Sequence, residues 1–414
     1  MKNIFIAASP NIQKDDIGLI FKNLFQPWKW KKAESTREFE KEFEDYMNNG
    51  NGEFKALAFD SARSCFFLYL KAVGIGKGDE VIMPSFTCVV IVNSVLATGA
   101  KPVYVDTDPK TFNIDLDKLK EKVNEKTKAI LVQHTFGIPV NVEKVRELVG
   151  ENVKIIEDTA HILGGKTQEG RKFGVLGDAS VHTFGIEKMM TTMRGGMVLV
   201  KDERVYESLK NKQAGLPNFS SLRIFVWLLN PIIWAIATPL YYVGIGKLTI
   251  GRIISKIGHK IGAMGNMVED CEYGGCWPEW MPAKMPGVLA TVGRNQLKKL
   301  DMFNEHRKRI AKIYDKELGL EFSKISGYTP LRYPILVENP REAQKALKKE
   351  HVILGNWYNK ILFTDEKYLN ELGFDKQKYP DVQMLAKKII NLPTFVGVDE
   401  NDASMIAQKV LNYL

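Results

Sequence analysis

A chain of 414 residues that is 45% hydrophobic and 26% charged has ample apolar material for a packed core and the length of two or three domains, as a globular, enzyme-sized protein requires. Its net charge of +9 is concentrated: from Ser208 to Val268 there is no Asp or Glu, while Lys210, Lys212, Arg223, Lys247, Arg252, Lys256 and Lys260 all fall there. That segment is also strongly apolar and carries no nucleic-acid motif, so an anionic membrane surface is expected as a partner and nucleic acid is not.

At the N-terminus only Ile4, Phe5 and Ile6 form an apolar run before Ser9-Pro10, too short for a secretory segment, which places the folded body on the cytoplasmic side. Asp60-Ser-Ala-Arg-Ser64, leading into Cys65-Phe-Phe-Leu-Tyr-Leu70, opens a helix with hydroxyls, a guanidinium and free backbone N–H groups. It is either a phosphate cradle or an ordinary capped terminus. From Glu80 to Lys201 short β-branched runs alternate with helical patterns, as a mostly parallel α/β sheet requires. The expected strands are Glu80–Met83, Pro102–Asp106, Ala129–Gln133, Val153–Glu157, Ala179–Thr183 and Met197–Val200. Thr87–Thr98 and Asn141–Val149 read as crossover helices, with Gly99 and Gly150 as stop signals. Cys65, Cys88, Cys271 and Cys276 are too dispersed for a disulfide framework, and the last two lack the second pair of a zinc site. Reduced thiols and no metal are expected.

Residues 224–246 are uncharged over 23 positions, long enough in principle to span a bilayer. Pro231 and Pro239 are expected to break the stretch, and one crossing would divide the protein across the membrane. Trp227, Trp234, Tyr241 and Tyr242 suit a membrane interface. Downstream, Ile253, Ile254, Ile257 and Ile261 fall on one helical face and Arg252, Lys256, His259 and Lys260 on the other, the pattern of an interfacial basic helix. Packing of the whole segment into a dimer interface is the competing reading. Lys284–Leu318 then reads as one long helix, and Tyr333–Val337, Arg341–Lys349 and Asp402–Tyr413 as a smaller α/β unit.

Asp158 ends Lys154-Ile-Ile-Glu-Asp158, and Lys188 follows the uncharged lead-in from Ala179 to Ile186. Taken alone, the first is a cap or turn residue and the second a surface amine. An amine at the end of a buried strand is more easily held near neutral, as a nucleophile needs. A carboxylate facing a pyridine nitrogen and a lysine able to form a Schiff base are the two groups that pyridoxal phosphate chemistry requires. His161 stands within reach of the cofactor's phenolic oxygen, or is a structural histidine.

Gly74-Ile-Gly-Lys-Gly-Asp-Glu-Val-Ile-Met-Pro-Ser-Phe-Thr87, Gly99-Ala-Lys-Pro-Val-Tyr-Val-Asp106, Ile156-Glu-Asp-Thr-Ala160, Gly177-Asp-Ala179 up to Lys188, and Asn391-Leu-Pro-Thr-Phe-Val-Gly-Val-Asp-Glu400 together resemble the DegT/DnrJ/EryC1/StrS family of sugar aminotransferases. The resemblance implies an aspartate aminotransferase-like fold (fold type I): a large domain with a mostly parallel sheet over 1–213 and 265–320, and a small C-terminal α/β domain over 321–414. The insertion is 214–264. It implies a homodimer that moves an amino group from glutamate to a keto sugar. It assigns Lys188 as the cofactor lysine, Asp158 as partner of the ring nitrogen, Thr183 where a phosphate-binding serine is usual, and Ser61, Ala62, Arg63 and Ser64 as the first phosphate loop. Cys88 stands where an aromatic often stacks on the ring, His161 where glutamine is common, and Arg194 where an acid precedes the paired glycines. The family's Tyr-Asn-Tyr-Arg-Met segment, which feeds the partner's site, is here Met281-Pro-Ala-Lys-Met285, with Lys284 in place of the arginine.

The expected function is a pyridoxal-phosphate-dependent aminotransferase on the inner face of the cell membrane, acting on a nucleotide-linked or lipid-linked keto sugar for a surface glycan. Two other readings share the fold. One is a sugar dehydratase, against which Lys188 argues because such relatives typically carry histidine there. The other is a non-catalytic membrane-bound regulator.

Overall fold

The computed structural model describes residues 2–8, 10–50, 52–246, 248–265 and 268–414; Lys247 of the basic segment lies outside the described residues. Its centre is a seven-stranded sheet. The strands are β1 (Lys55–Phe59), β2 (Glu80–Pro84), β3 (Lys101–Val105), β4 (Thr127–Gln133), β5 (Lys154–Asp158), β6 (Ala179–Thr183) and β7 (Gly196–Val200). They lie in the order β1-β7-β6-β5-β4-β2-β3. β7 runs antiparallel to both its neighbours, and the other pairings are parallel. Alternation sends Val81 and Met83 into one core and Ile82 into another, as it does Leu131 against Ile130 and Val132. Both faces are therefore covered, as a parallel sheet demands.

Helices Ala62–Ala72 and Val89–Thr98 cover one face, and Val142–Val149 with Asn141 as its cap covers the other. The C-terminal elements extend the first core. They comprise the antiparallel pair Arg332–Leu336 and Ile389–Pro393 and helices Pro340–Lys349, Pro380–Lys388 and Glu400–Val410, with Tyr333, Ile335, Val382, Leu392 and Ile406 buried in that core.

Three expectations are corrected. Lys284–Leu318 is two helices, Gly287–Leu297 and Leu300–Leu318. The break falls at Lys298-Lys299, where the Lys299 amine reaches Asp15 and Asp16 at 2.7 Å each; lysines are good helix formers, so periodicity does not signal the turn. Pro231 sits inside the helix Ser221–Ala237 rather than ending it. A helix-interior proline costs about 3 kcal/mol, and here Pro231 is itself buried while neighbouring Asn230 donates to the Ala263 carbonyl at 2.8 Å. Cys271 and Cys276 form a disulfide, because the 3-10 turn Asp270–Gly274 folds the chain back and brings their Cα atoms to 5.5 Å, within bonding range. Cys65 and Cys88 are free thiols.

Ser221–Ala237 packs against a second helix, Ile250–Lys260. Ile224, Trp227 and Leu228 anchor the first to the large core, and Gly251, Ser255 and Gly258 form the buried side of the second. The isoleucines expected to mark its apolar face point outward: Ile253, Ile257 and Ile261 are 47%, 56% and 49% exposed, and Ile245 at the hairpin tip is 89% exposed. The aromatic residues do the reverse. Trp227 is buried on Phe219, while Tyr241 and Tyr242 are half-buried against Phe5 and His351. Among the described residues no helix is long and apolar enough to cross a membrane.

Candidate active site

Strand ends bring the expected residues to one edge of the sheet. Asp158 is the last residue of β5 and Thr183 the last of β6. Thr183 pairs in register with Gly196, and Gly196 pairs with Phe59, directly before the loop of Asp60 and Ser61. A Cβ on Gly196 would collide with the backbone of Ser61 and Ala62, so only glycine lets β7 approach this loop so closely. Ser61 caps the helix Ala62–Ala72 by accepting from the Ser64 N–H. Both hydroxyls donate to buried Asp60, Ser61 at 2.7 Å and Ser64 at 3.1 Å. Arg63 turns away from the helix start and forms a buried, two-pronged pair with Glu272 at 2.7 and 2.8 Å.

Lys188 follows β6 on a loop fastened from behind. The Asn11 side-chain amide donates to the Lys188 carbonyl at 2.5 Å. Buried Arg307 donates to the Asn11 side-chain oxygen at 2.8 Å and to the Met189 backbone carbonyl at 3.1 Å. The Lys188 side chain is half-buried. Burial pushes its pKa below that of a surface lysine and the charge of Arg332 lowers it further, against the pull of Asp158, Cys88 and Glu187. Burial pushes the Asp158 carboxyl up, opposed by the Ala160 N–H donated to it at 2.9 Å and by the charges of Lys188 and His134. Each of the two groups thus feels the other's charge.

His161 lies between Phe136 and Tyr358, its ring nearly parallel to both. Its Nδ1 accepts from the Phe136 N–H at 3.1 Å, which leaves the proton on Nε2. Burial, and then the charges of Lys188 and Arg332, hold it neutral well below the ordinary histidine range. Cys88 caps the helix Val89–Thr98 and its thiol pKa is raised by burial, with Lys188 near enough to oppose this. Lys284 lies on a bridge to Phe59 beside the phosphate loop, but its amine donates to the Ala214 carbonyl at 2.7 Å.

Sequence reasoning passed over Arg332, Glu187 and Trp357. Arg332, from the C-terminal pair of strands, is buried over the Trp357 ring at 3.2 Å and donates to Glu187 at 2.9 Å. Its charge acts on Lys188, although it comes from the C-terminal part of the chain. An arginine opening a short strand gives no signal of this, because its partners are remote in sequence.

The donor set fits pyridoxal phosphate: a buried carboxylate for a ring nitrogen, an amine whose proton is held loosely, and a helix start closely backed by Gly196 for a phosphate.

The model of the DegT/DnrJ/EryC1/StrS aminotransferase family matches residues 11–220 and 261–411. The chain is 26% identical to GDP-perosamine synthase of Escherichia coli O157:H7, covering 89% of this chain and 88% of that one. It is 27% identical to the spore coat polysaccharide biosynthesis protein SpsC of Bacillus subtilis, covering 99% and 97%. Among solved structures, the putative sugar aminotransferase Spr1654 of Streptococcus pneumoniae in its PMP form superposes with a TM-score of 0.73 at 21% identity, over 97% of each chain. The chain belongs to the DegT/DnrJ/EryC1/StrS family and is a pyridoxal-phosphate-dependent aminotransferase.

Proposed function

We propose that this enzyme transfers an amino group from glutamate to a keto sugar for a surface glycan, as a homodimer resting on the inner face of the cell membrane. The observation that carries the reading is the Lys188 amine near enough to the Asp158 carboxylate and the Arg332 guanidinium for each to act on its charge. When bound, pyridoxal phosphate supplies the electron sink for the carbon that loses its proton. The chain's own residues do the rest. Lys188 would hold the cofactor covalently and, once released by the donor, its amine would take the proton from the donor's α-carbon and deliver it to the cofactor's reactive carbon. Asp158 keeps the ring nitrogen protonated. Ser61, Ser64 and Thr183 would hold the phosphate together with the backbone N–H groups of Ala62 and Arg63, after Ser61 and Ser64 turn from Asp60, while the Arg63 guanidinium stays on Glu272. Cys88 and His161 line the ring, with the Nε2 proton of His161 free to face its phenolic oxygen.

Arg332 is the group for the donor's carboxylate: Glu187 occupies it by an ion pair, and a substrate carboxylate of the same charge would exchange with it. A keto sugar as acceptor is supported by the relatives' names, GDP-perosamine synthase among them. The exchange of the family's Tyr-Asn-Tyr-Arg-Met segment for Met281-Pro-Ala-Lys-Met285 favours an acceptor other than the usual one. It also makes Lys284 the residue offered to the partner subunit, once its amine leaves the Ala214 carbonyl. The exposed isoleucines beside Arg252, Lys256, His259 and Lys260 support contact with an anionic bilayer, where each basic residue adds about 1 kcal/mol.

Purified protein should be yellow, lose that absorbance on addition of glutamate, and regain it with the matching keto sugar. A coloured protein that glutamate leaves unchanged would remove glutamate as donor.

A further inference from the structure

Large apolar side chains stand exposed in two places. Among the described residues, all but Met302, Leu411 and Leu414 lie within 21–28 or 222–261. The second group belongs to the hairpin, and the first lies outside it. That first group is Phe21, Phe25 and Trp28, 57%, 66% and 67% exposed. The helix Lys14–Leu24 turns Ile20 into the large core. Phe21 and Phe25, four residues apart, therefore meet on its outward side, ring edge to ring face at 5.2 Å. Trp28 stands on the 3-10 turn Pro27–Lys29 that follows.

The two places are joined. Lys14–Leu24 packs against Ser221–Ala237, and Ile20 and Trp30 share a core with Ile224, Trp227 and Leu228. Above that core Trp30 stacks on Phe225 at 6.3 Å, the planes 23° apart, and Phe225 and Leu222 are exposed in turn. Charge follows the same division. From Ile17 to Ala33 there is no Asp or Glu, while Lys22, Lys29, Lys31 and Lys32 are all exposed. Among the described residues none of the four forms an ion pair. The acids that flank the stretch are Asp15 and Asp16, which hold Lys299 at 2.7 Å, and Glu34. The chain thus has a second acid-free, lysine-bearing segment with bare apolar side chains, and it is built against the first.

We propose that the helix Lys14–Leu24 and the turn Pro27–Lys29 form, with the hairpin, one docking face for an anionic lipid surface. Phe21, Phe25 and Trp28 enter the headgroup layer, and Lys22, Lys29, Lys31 and Lys32 meet the lipid phosphates and carboxylates. This rests on the membrane reading above and extends it to a part of the chain that the hairpin does not include. A second copy of the chain is the other occupant such a face could take. A twofold contact centred here would set the four lysines against the same four, and lysine is depleted from protein interfaces, so charge favours the lipid.

The test mixes full-length holoenzyme at low salt with sedimenting vesicles of phosphatidylcholine, with or without phosphatidylserine. The wild-type protein should sediment with the anionic vesicles. Phe21→Ser, Phe25→Ser and Trp28→Ser together should weaken that binding about tenfold or more, by withdrawing three rings from the headgroup layer. Cofactor absorbance and subunit association should stay unchanged. Lys22→Gln, Lys29→Gln, Lys31→Gln and Lys32→Gln together should also weaken it about tenfold or more, and only on vesicles that contain phosphatidylserine. If the protein without the three rings binds as the wild type does, while Ile253→Glu with Ile257→Glu releases it, the hairpin alone meets the bilayer; the inference then falls and the membrane reading stands. Loss of subunit association on removing the rings would assign the face to a second copy and overturn the inference. A wild-type protein that sediments with neither vesicle would overturn both.

Discussion

Arg332 sets a second cation near enough to Lys188 to act on its charge, an arrangement that costs free energy unless anions complete it. Glu187 and Asp158 do so here, each a single residue at the end of its own interaction. Removing the guanidinium should therefore change two things together. Arg332→Gln should raise KM for the amino donor about tenfold or more, by the loss of a charge-assisted pair, and leave KM for the acceptor near its original value. It should also move the acid limb of the pH–rate profile upward, because Lys188 loses the neighbour that lowers its pKa and gives up its proton at higher pH. Steady-state kinetics over a pH series checks both, and a variant with donor KM and acid limb unmoved would exclude Arg332 from the donor site. Asp158 and Lys188 were legible in the sequence because each closes or follows an apolar run that ends at the sheet's ligand-binding edge, whereas Thr183 entered only through the family resemblance. Arg332 was not, because its role depends on how the C-terminal strands lie over the sheet.

At the scale of elements, alternating β-branched runs disclosed the six strands from Glu80 to Val200 with ends shifted by a residue or so, since a parallel sheet buried on both faces leaves a plain apolar signature. The first strand, Lys55–Phe59, escaped that reading; it pairs antiparallel with Gly196–Val200 and supplies the phosphate loop at its end. The fit between those two strands is tight at Gly196. Gly196→Ala should cost about 1–3 kcal/mol, the usual range for overpacking, and should weaken cofactor binding because the loop of Ser61 and Ala62 must shift. A thermal melt of the cofactor-free protein together with a pyridoxal phosphate titration separates the two effects. If both remain at wild-type values, the close approach has no bearing on the phosphate site.

Over the whole molecule, the hairpin Ser221–Ala237 and Ile250–Lys260 explains why composition was only a partial guide. The apolar excess at 224–246 was plain, but its division was not: Ile224, Trp227 and Leu228 serve the core, while Ile236, Val243 and Ile245 remain exposed. Glycine and serine, not isoleucine, form the side by which the second helix packs, and small residues at close helix contacts carry no hydrophobic signal. Catalysis does not depend on the hairpin but on one amine. Treating the yellow holoenzyme with borohydride fixes the cofactor to the lysine that bears it, and peptide mapping then locates the label. A pyridoxyl group is expected on Lys188 alone, and the Lys188→Ala protein should be folded, unlabelled and inactive. A label on another lysine, or a Lys188→Ala protein that still transaminates, would contradict it.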